Sequence, residues 1–194
     1  MNSADRNNLY PIFLKSRVLN YLIVGGGHVG LEKLTFLYKS SPDANVTLVA
    51  PDFLPETLEL AGKHKARIIR GKYKKSYLKG RHMVIAATDR PEVNKTVWKH
   101  CRKQNKLVNV ADTPDLCDFY LGGIVTKGHV KIAISTNGQS PTTAKRLRQF
   151  FEEALPDNIN DLVLNLNRYR KTIKGDFEEK VEKLNTFTKD LLKH

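Results

Sequence analysis

Gly25-Gly26-Gly27-His28-Val29-Gly30 places glycine first, third and sixth, and a carboxylate, Asp112, follows Asn109-Val110-Ala111 much later in the chain. In a G-x-G-x-x-G pattern the first glycine permits a tight turn and the second lets the main chain approach a pyrophosphate. The third lets a helix pack closely on a sheet. Those roles fall to Gly25, Gly27 and Gly30. The diphosphate of a dinucleotide would lie on the free N–H groups of the helix start, where the dipole favours negative charge. The alternative is a glycine-rich turn with no ligand.

Asp112 closes an apolar stretch, Leu107 to Val110, and could act as general acid or base beside a bound nicotinamide. A lone aspartate there also serves as a turn residue or helix cap, and Asp115 and Asp118 are close competitors. The acidic residue that usually holds the ribose comes about 20 positions after the glycines. Ala50 stands near that place and Asp52 two residues later, after Pro51, with no adjacent arginine to receive a 2′-phosphate. Asp52 in the loop therefore points to NAD rather than NADP. Thr88, at the end of another strand, either faces the ligand crevice or caps the following Asp89-Arg90-Pro91-Glu92.

The six histidines show no i, i+4 pair, and His100 and Cys101 are too close in sequence to share a helix face. No G-x-S-x-G, P-loop or Cys-x-x-Cys is present, and no resident metal is expected. What remains is hydride transfer, or dinucleotide sensing without chemistry.

The elements that must carry these residues alternate. Val18 to Val24 reads as a doubly buried strand, and Val29 to Lys39 as a helix with Gly30, Leu34, Leu37 and Tyr38 on one face. Val46 to Ala50 is a strand, Pro55 to Lys63 a helix and Ala66 to Ile69 a strand. His82 to Thr88 is a fourth strand, a helix runs from Pro91 to about Gln104, and Leu107 to Val110 is a fifth strand. Such alternation argues for a parallel sheet with right-handed crossovers. Phe119 to Val125 and Val130 to Ser135 then sit at hairpin spacing. Beyond Ser140, an N-cap before Pro141, three helical stripes follow, broken at Pro156 and Gly175; the last is Phe177, Val181, Leu184, Phe187 and Leu191. The fold class is α/β: a Rossmann-like domain over 1–112, a hairpin and helix over 113–155, and a helical region over 156–194.

The chain has 194 residues, 33 Lys and Arg against 20 Asp and Glu, and a net charge of +13. No acidic residue lies between Glu59 and Asp89, whereas Lys63, Lys65, Arg67, Arg70, Lys72, Lys74, Lys75, Lys79 and Arg81 do. The run is either a solvated face, a nucleic-acid surface or an attractor of a small polyanion. Tyr73 and Tyr77 are its only aromatics and no recognition module accompanies it, which argues against nucleic acid. No run is long enough to span a membrane and the start lacks a signal-peptide layout, so a cytoplasmic location is expected.

Five ordered segments, "LYPIFLKSRVLNYLIVGGGHVGLEKLTFLYK", "VTLVAPD", "VIAATDRPEVNKTV", "NVADTPDLCDFYLGGIV" and "KIAISTNGQSPTTAKRLRQFFEEALP", resemble the siroheme synthase amino-terminal module, the precorrin-2 dehydrogenase/sirohydrochlorin ferrochelatase family. The resemblance runs from about Leu9 to Pro156. It implies NAD-dependent oxidation of precorrin-2 to sirohydrochlorin, and in some members insertion of ferrous ion. It also implies a homodimer joined through the part that follows the Rossmann domain, making 113–155 the dimerisation segment. The family's essential aspartate corresponds to Asp112. Its dinucleotide contacts correspond to Gly25, Gly26, Gly27, His28, Val29 and Gly30 and to Pro51 and Asp52. The position of a serine modified in some members is Thr136 here. Some members continue into a methyltransferase domain; here a helical tail follows, so methylation is expected from another protein. The substrate is a polycarboxylate tetrapyrrole, which a basic protein attracts, and Lys145, Arg146 and Arg148 are candidate contacts for its carboxylates.

Overall fold

A computed structural model describes residues 7–189. Two compact units emerge: one runs through Leu121 and takes in Asn137–Gln139, the other comprises Gly122–Thr136 and the residues from Ser140 onward.

The first unit is built on five parallel strands, β1 (Asn20–Val24), β2 (Asn45–Ala50), β3 (Arg67–Arg70), β4 (Met83–Ala86) and β5 (Leu107–Val110), in the order β3-β2-β1-β4-β5. Helices α1 (His28–Ser40), α2 (Pro55–Lys63) and α3 (Pro91–Lys103) make the crossovers. Side chains alternate across the pleat, so each strand feeds two cores. Tyr21, Ile23, Leu48 and Ile85 pack with Leu34 and Leu37 of α1 and Ala61 of α2. Leu22, Val24, Val84 and Val108 pack on the other face with Val97 and Cys101 of α3. Burial on both faces explains the nearly unbroken apolar runs of β1 and β2.

The elements follow the expected alternation with local differences. Val18 belongs to a short 3-10 turn, Ser16–Val18, rather than to β1. The strand expected from Phe119 begins only at Gly123, and the contact boundary between units falls after Leu121 rather than Asp112. Both differences have one cause. Residues 113–121 form a strap bound to the outer edge of β5. Asp118 accepts from the Val108 N–H at 3.0 Å, its own N–H donates to the Val108 carbonyl at 2.7 Å, and the Asn109 amide donates to the Phe119 carbonyl at 2.8 Å. Arg102 of α3 closes an ion pair with Asp118 at 2.7 Å.

The second unit begins with an antiparallel hairpin, β6 (Gly123–Lys127) and β7 (Val130–Ile134), turned at Gly128 with φ +56°. Helix α4 (Pro141–Ala154) starts as expected, with the Ser140 hydroxyl accepting from the Thr143 N–H at 3.2 Å, and it packs over Gly123, where an added Cβ would come into ordinary contact with the Ala144 carbonyl and Arg148 Cβ. Helices α5 (Ile159–Thr172) and α6 (Phe177–Thr188) complete this unit, so the residues after 156 cluster with the hairpin. Leu191, the last member of the third stripe, lies outside the described residues. No helix among the described residues is long and apolar enough to cross a membrane.

Candidate active site

The four glycines differ in what excludes a side chain from them. Gly25 sits at φ +135°, and a Cβ there would strike the Ala87 carbonyl. On Gly26 it would strike the Asp52 carbonyl, the Phe53 ring and Ala50 Cβ, and on Gly30 the Gly25 carbonyl. These three positions are required by the protein's own packing. Gly27 is different: a Cβ there would meet nothing within 4 Å, and its φ of −85° suits any residue. The open space lies at the start of α1, where no side chain caps the first turn and the N–H groups of that turn need partners from outside the helix. A bed of main-chain donors, kept clear of side chains and at the positive end of a helix, fits the diphosphate of a dinucleotide.

The loop after β2 is fastened to this turn. The Leu54 N–H donates to the Gly26 carbonyl at 3.0 Å and the Thr57 hydroxyl to the same oxygen at 3.2 Å. Pro51 and Asp52 are exposed, and the Asp52 main chain lies immediately beside Gly26. His28 is exposed at the helix start, whereas Val29 packs against the core and can offer only its main chain. The strand order reverses between β1 and β4, and ligands of open α/β sheets bind outside the carboxyl ends of the strands at that point.

Thr88 lies at that edge, next to Gly25. Its hydroxyl donates to Asn94 Oδ1 at 2.7 Å and accepts from the Arg90 N–H at 3.2 Å, and its N–H also reaches Asn94. These bonds brace the turn between β4 and α3 and leave Thr88 on the edge where a ligand of the sheet would lie.

Asp112 stands on the same carboxyl edge, two strands from β1, a lateral distance of roughly 10 Å. It is exposed and held at φ +56°, a conformation aspartate tolerates better than most residues but which still costs energy. The surrounding bonds impose that turn. The Thr113 N–H returns to the Val110 carbonyl at 3.2 Å, and Cys117 Sγ lies within 3.4 Å of the Val110 N–H, the Val110 carbonyl and the Thr113 carbonyl. Its competitors separate: Asp118 is consumed by Arg102 and Val108, and Asp115 sits in the 3-10 turn Pro114–Leu116.

Arg70 was invisible as a neighbour of this site. Parallel pairing sets it opposite Ala50, and its guanidinium lies over the Phe53 ring at 5.7 Å from the centroid. No arginine adjoins Asp52 in the sequence, but β3 brings one beside the end of β2 from 20 residues along the chain. In the second unit, Arg148 pairs with Glu152 at 2.5 Å and Arg146 donates to Gln149 at 3.1 Å. Thr136 bonds both the N–H and the carbonyl of Ser140.

A family model described as "Putative NAD(P)-binding" matches residues 12–123, more than half of the chain, and a second, "Sirohaem biosynthesis protein central", matches 127–154. The chain belongs to the siroheme synthase amino-terminal family. Among its relatives, the siroheme synthase of Pseudoalteromonas translucida (strain TAC 125) is 38% identical over 168 residues, covering 87% of this chain and 35% of that protein. That of Methylococcus capsulatus (strain ATCC 33009 / NCIMB 11132 / Bath) is 39% identical over 152 residues, or 78% and 32%. The chain thus spans about a third of the length of these relatives. The solved structure "SirC, precorrin-2 dehydrogenase" superposes with a TM-score of 0.73, covering 92% of this chain and 88% of that one at 24% identity. That likeness shows a shared fold, and the family membership accounts for an NAD(P)-type cradle on it.

Proposed function

We propose that the chain is an NAD-dependent dehydrogenase that oxidises precorrin-2 to sirohydrochlorin in siroheme synthesis. The observation that carries this reading is Gly27, a glycine that nothing in the fold demands, facing open space on the sheet edge that also bears Asp112. The family and the names of the relatives supply the substrate class.

The uncapped N–H groups of α1 would hold the diphosphate, and the Asp52 carboxylate would accept hydrogen bonds from the ribose. Bound there, NAD supplies the hydride acceptor. Oxidation of the macrocycle releases a hydride and a proton, and the Asp112 carboxylate takes the proton. In a bifunctional member the same carboxylate receives pyrrole protons as ferrous ion, a substrate, enters. Two copies associate through the second unit. Its exposed Phe150, Phe177 and Phe187 support this, being 61–68% accessible in the single chain.

Absorbance of NADH on mixing the full chain with precorrin-2 and NAD tests the assignment. Asp112→Asn, which keeps a residue suited to positive φ, should bind NAD normally and lose activity by about 10²–10⁴-fold. Full turnover by that variant removes Asp112 from catalysis, and tight NAD binding without turnover by the native protein favours a redox sensor.

Arg70 favours a second reading, NADP, because a guanidinium beside the β2 end can receive a 2′-phosphate. With Arg70 stacked on Phe53 and Asp52 at the ribose position, NAD should bind the more tightly. Titration with both dinucleotides decides, and preference for NADP that disappears in Arg70→Ala establishes the alternative.

A further inference from the structure

The dinucleotide edge uses none of the bases at the opposite, amino end of the sheet. There the starts of β1 and β2 form part of an open cleft of about 570 Å³, lined also by the half-buried His64 and Arg81 and the exposed Lys65 and Arg67. The volume lies in the range of small-molecule sites, about 300–1,000 Å³. Arg67 opens β3, and Arg81 precedes His82, whose N–H donates to the Asn20 carbonyl at 2.9 Å. Arg67 thus stands on β3 and Arg81 just before β4, three strands away and roughly 14 Å across the sheet, yet both line the same cleft.

Lys65, Arg67 and Arg81 line this space with a single carboxylate, Asp43, so the lining keeps a net positive charge that an anion would offset. Among the described residues, none of Lys65, Arg67 and Arg81 takes part in an ion pair; the acidic side chain lining the cleft, Asp43, is likewise unpaired. Arg81 is tethered to the Tyr77 carbonyl at 3.4 Å, and burial together with the neighbouring Arg67 lowers its affinity for its proton. His64 is fixed in the wall: its Nδ1 lies 3.1 Å from the Pro42 carbonyl, and its ring stacks on Tyr38 with centroids 4.0 Å apart. The Tyr38 hydroxyl behind it is buried without a partner. A solvated basic face requires neither convergence across three strands nor an oriented ring.

We propose that this cleft is a second ligand site, for a small, multiply charged oxyanion of the phosphate or polycarboxylate class. Arg67 and Arg81 grip the anion from opposite walls and Lys65 adds charge at the rim. The site is independent of the dinucleotide reading, since it lies at the other end of the strands.

Titration of the ¹⁵N-labelled full chain, without dinucleotide, tests it in two arms, one with citrate and one with inorganic phosphate. Amide shifts over 43–47 and 64–67 should saturate with a dissociation constant below about 1 mM in at least one arm, and the arm that saturates identifies the class. Arg67→Gln/Arg81→Gln should weaken that binding at least about tenfold, a difference of 1.4 kcal/mol. Lys72→Gln/Lys74→Gln, with the same change in charge on exposed residues of the same basic run, should keep it. Shifts confined to 25–30, no saturable shift, or equal weakening in both variants would overturn the proposal. So would an oligonucleotide gel shift that both variants weaken alike, because it would mark an extended polyelectrolyte surface. Should the double variant fail to fold, Arg67→Gln on the edge strand carries the same comparison.

Discussion

Two neighbouring glycines separate what the fold needs from what a ligand needs. A methyl on Gly26 would have to displace the Asp52 carbonyl and the Phe53 ring, an overpacking that typically costs about 1–3 kcal/mol. At Gly27 the same methyl meets no protein atom. Alanine is a poorer cap than glycine but restricts the unfolded chain, so the two effects oppose and the net change should stay within about 1 kcal/mol. Gly27→Ala is therefore expected to melt close to the native temperature while binding dinucleotide at least about tenfold more weakly, since the donors need close approach. Gly26→Ala should lose stability first. Thermal denaturation and a fluorescence titration, run side by side, check both. Equal behaviour of the two variants would mean that Gly27 faces no ligand. Asp112 belongs to the same scale: among the described residues of the strap no group bonds its carboxylate, whereas Asp118, six residues on, is fully engaged.

At the scale of elements, α3 is pressed on the sheet through Val97 and Cys101, both inaccessible to solvent. Burial raises the Cys101 thiol from 9.0 to about 12, with Asp118 adding to the rise and Lys106 opposing it. A raised thiol contributes stability that is intact below pH 9 and lost as the pH climbs through 12. Denaturant unfolding should accordingly show falling stability above pH 9. Cys101→Val should flatten that fall without abolishing it, because the Tyr38 phenol, raised to about 12 by burial, acts with the same sign. At pH 8 a thiol reagent should leave Cys101 untouched until the protein unfolds. The helices and central strands were legible because their apolar spacing is local: α2 and β5 begin and end where the sequence places them. The strap was not, because it has no period. It is held by single side chains, Asp118, Asn109 and Cys117, reaching main-chain atoms. The glycine turn and Asp112 could be read from a motif and its place after a strand. Arg70 could not, because its nearness to Ala50 depends on parallel register between segments separated by α2. Thr88 was ambiguous for the same reason: only the fold shows Asn94 occupying its hydroxyl.

At the scale of the molecule, the second unit carries large apolar side chains that a lone chain leaves in water. Phe150 and Phe187 are 61% and 66% exposed, and Leu147 and Tyr169 more than a third. Patches of this kind mark association surfaces. Sedimentation should find a dimer for the native chain, and Phe150→Asp should shift it toward monomer with the Rossmann unit still folded; a native monomer would remove the dimer from the proposed function. The sheet itself offers no second route to assembly. On one margin the strap occupies the outward N–H groups of Val108 and Val110, and on the other Arg67 and Arg70 flank a strand of only four residues. That parallel sheet has both selvedges hemmed: crowding should not knit its outer strands to those of neighbouring copies, however much grease the helices display.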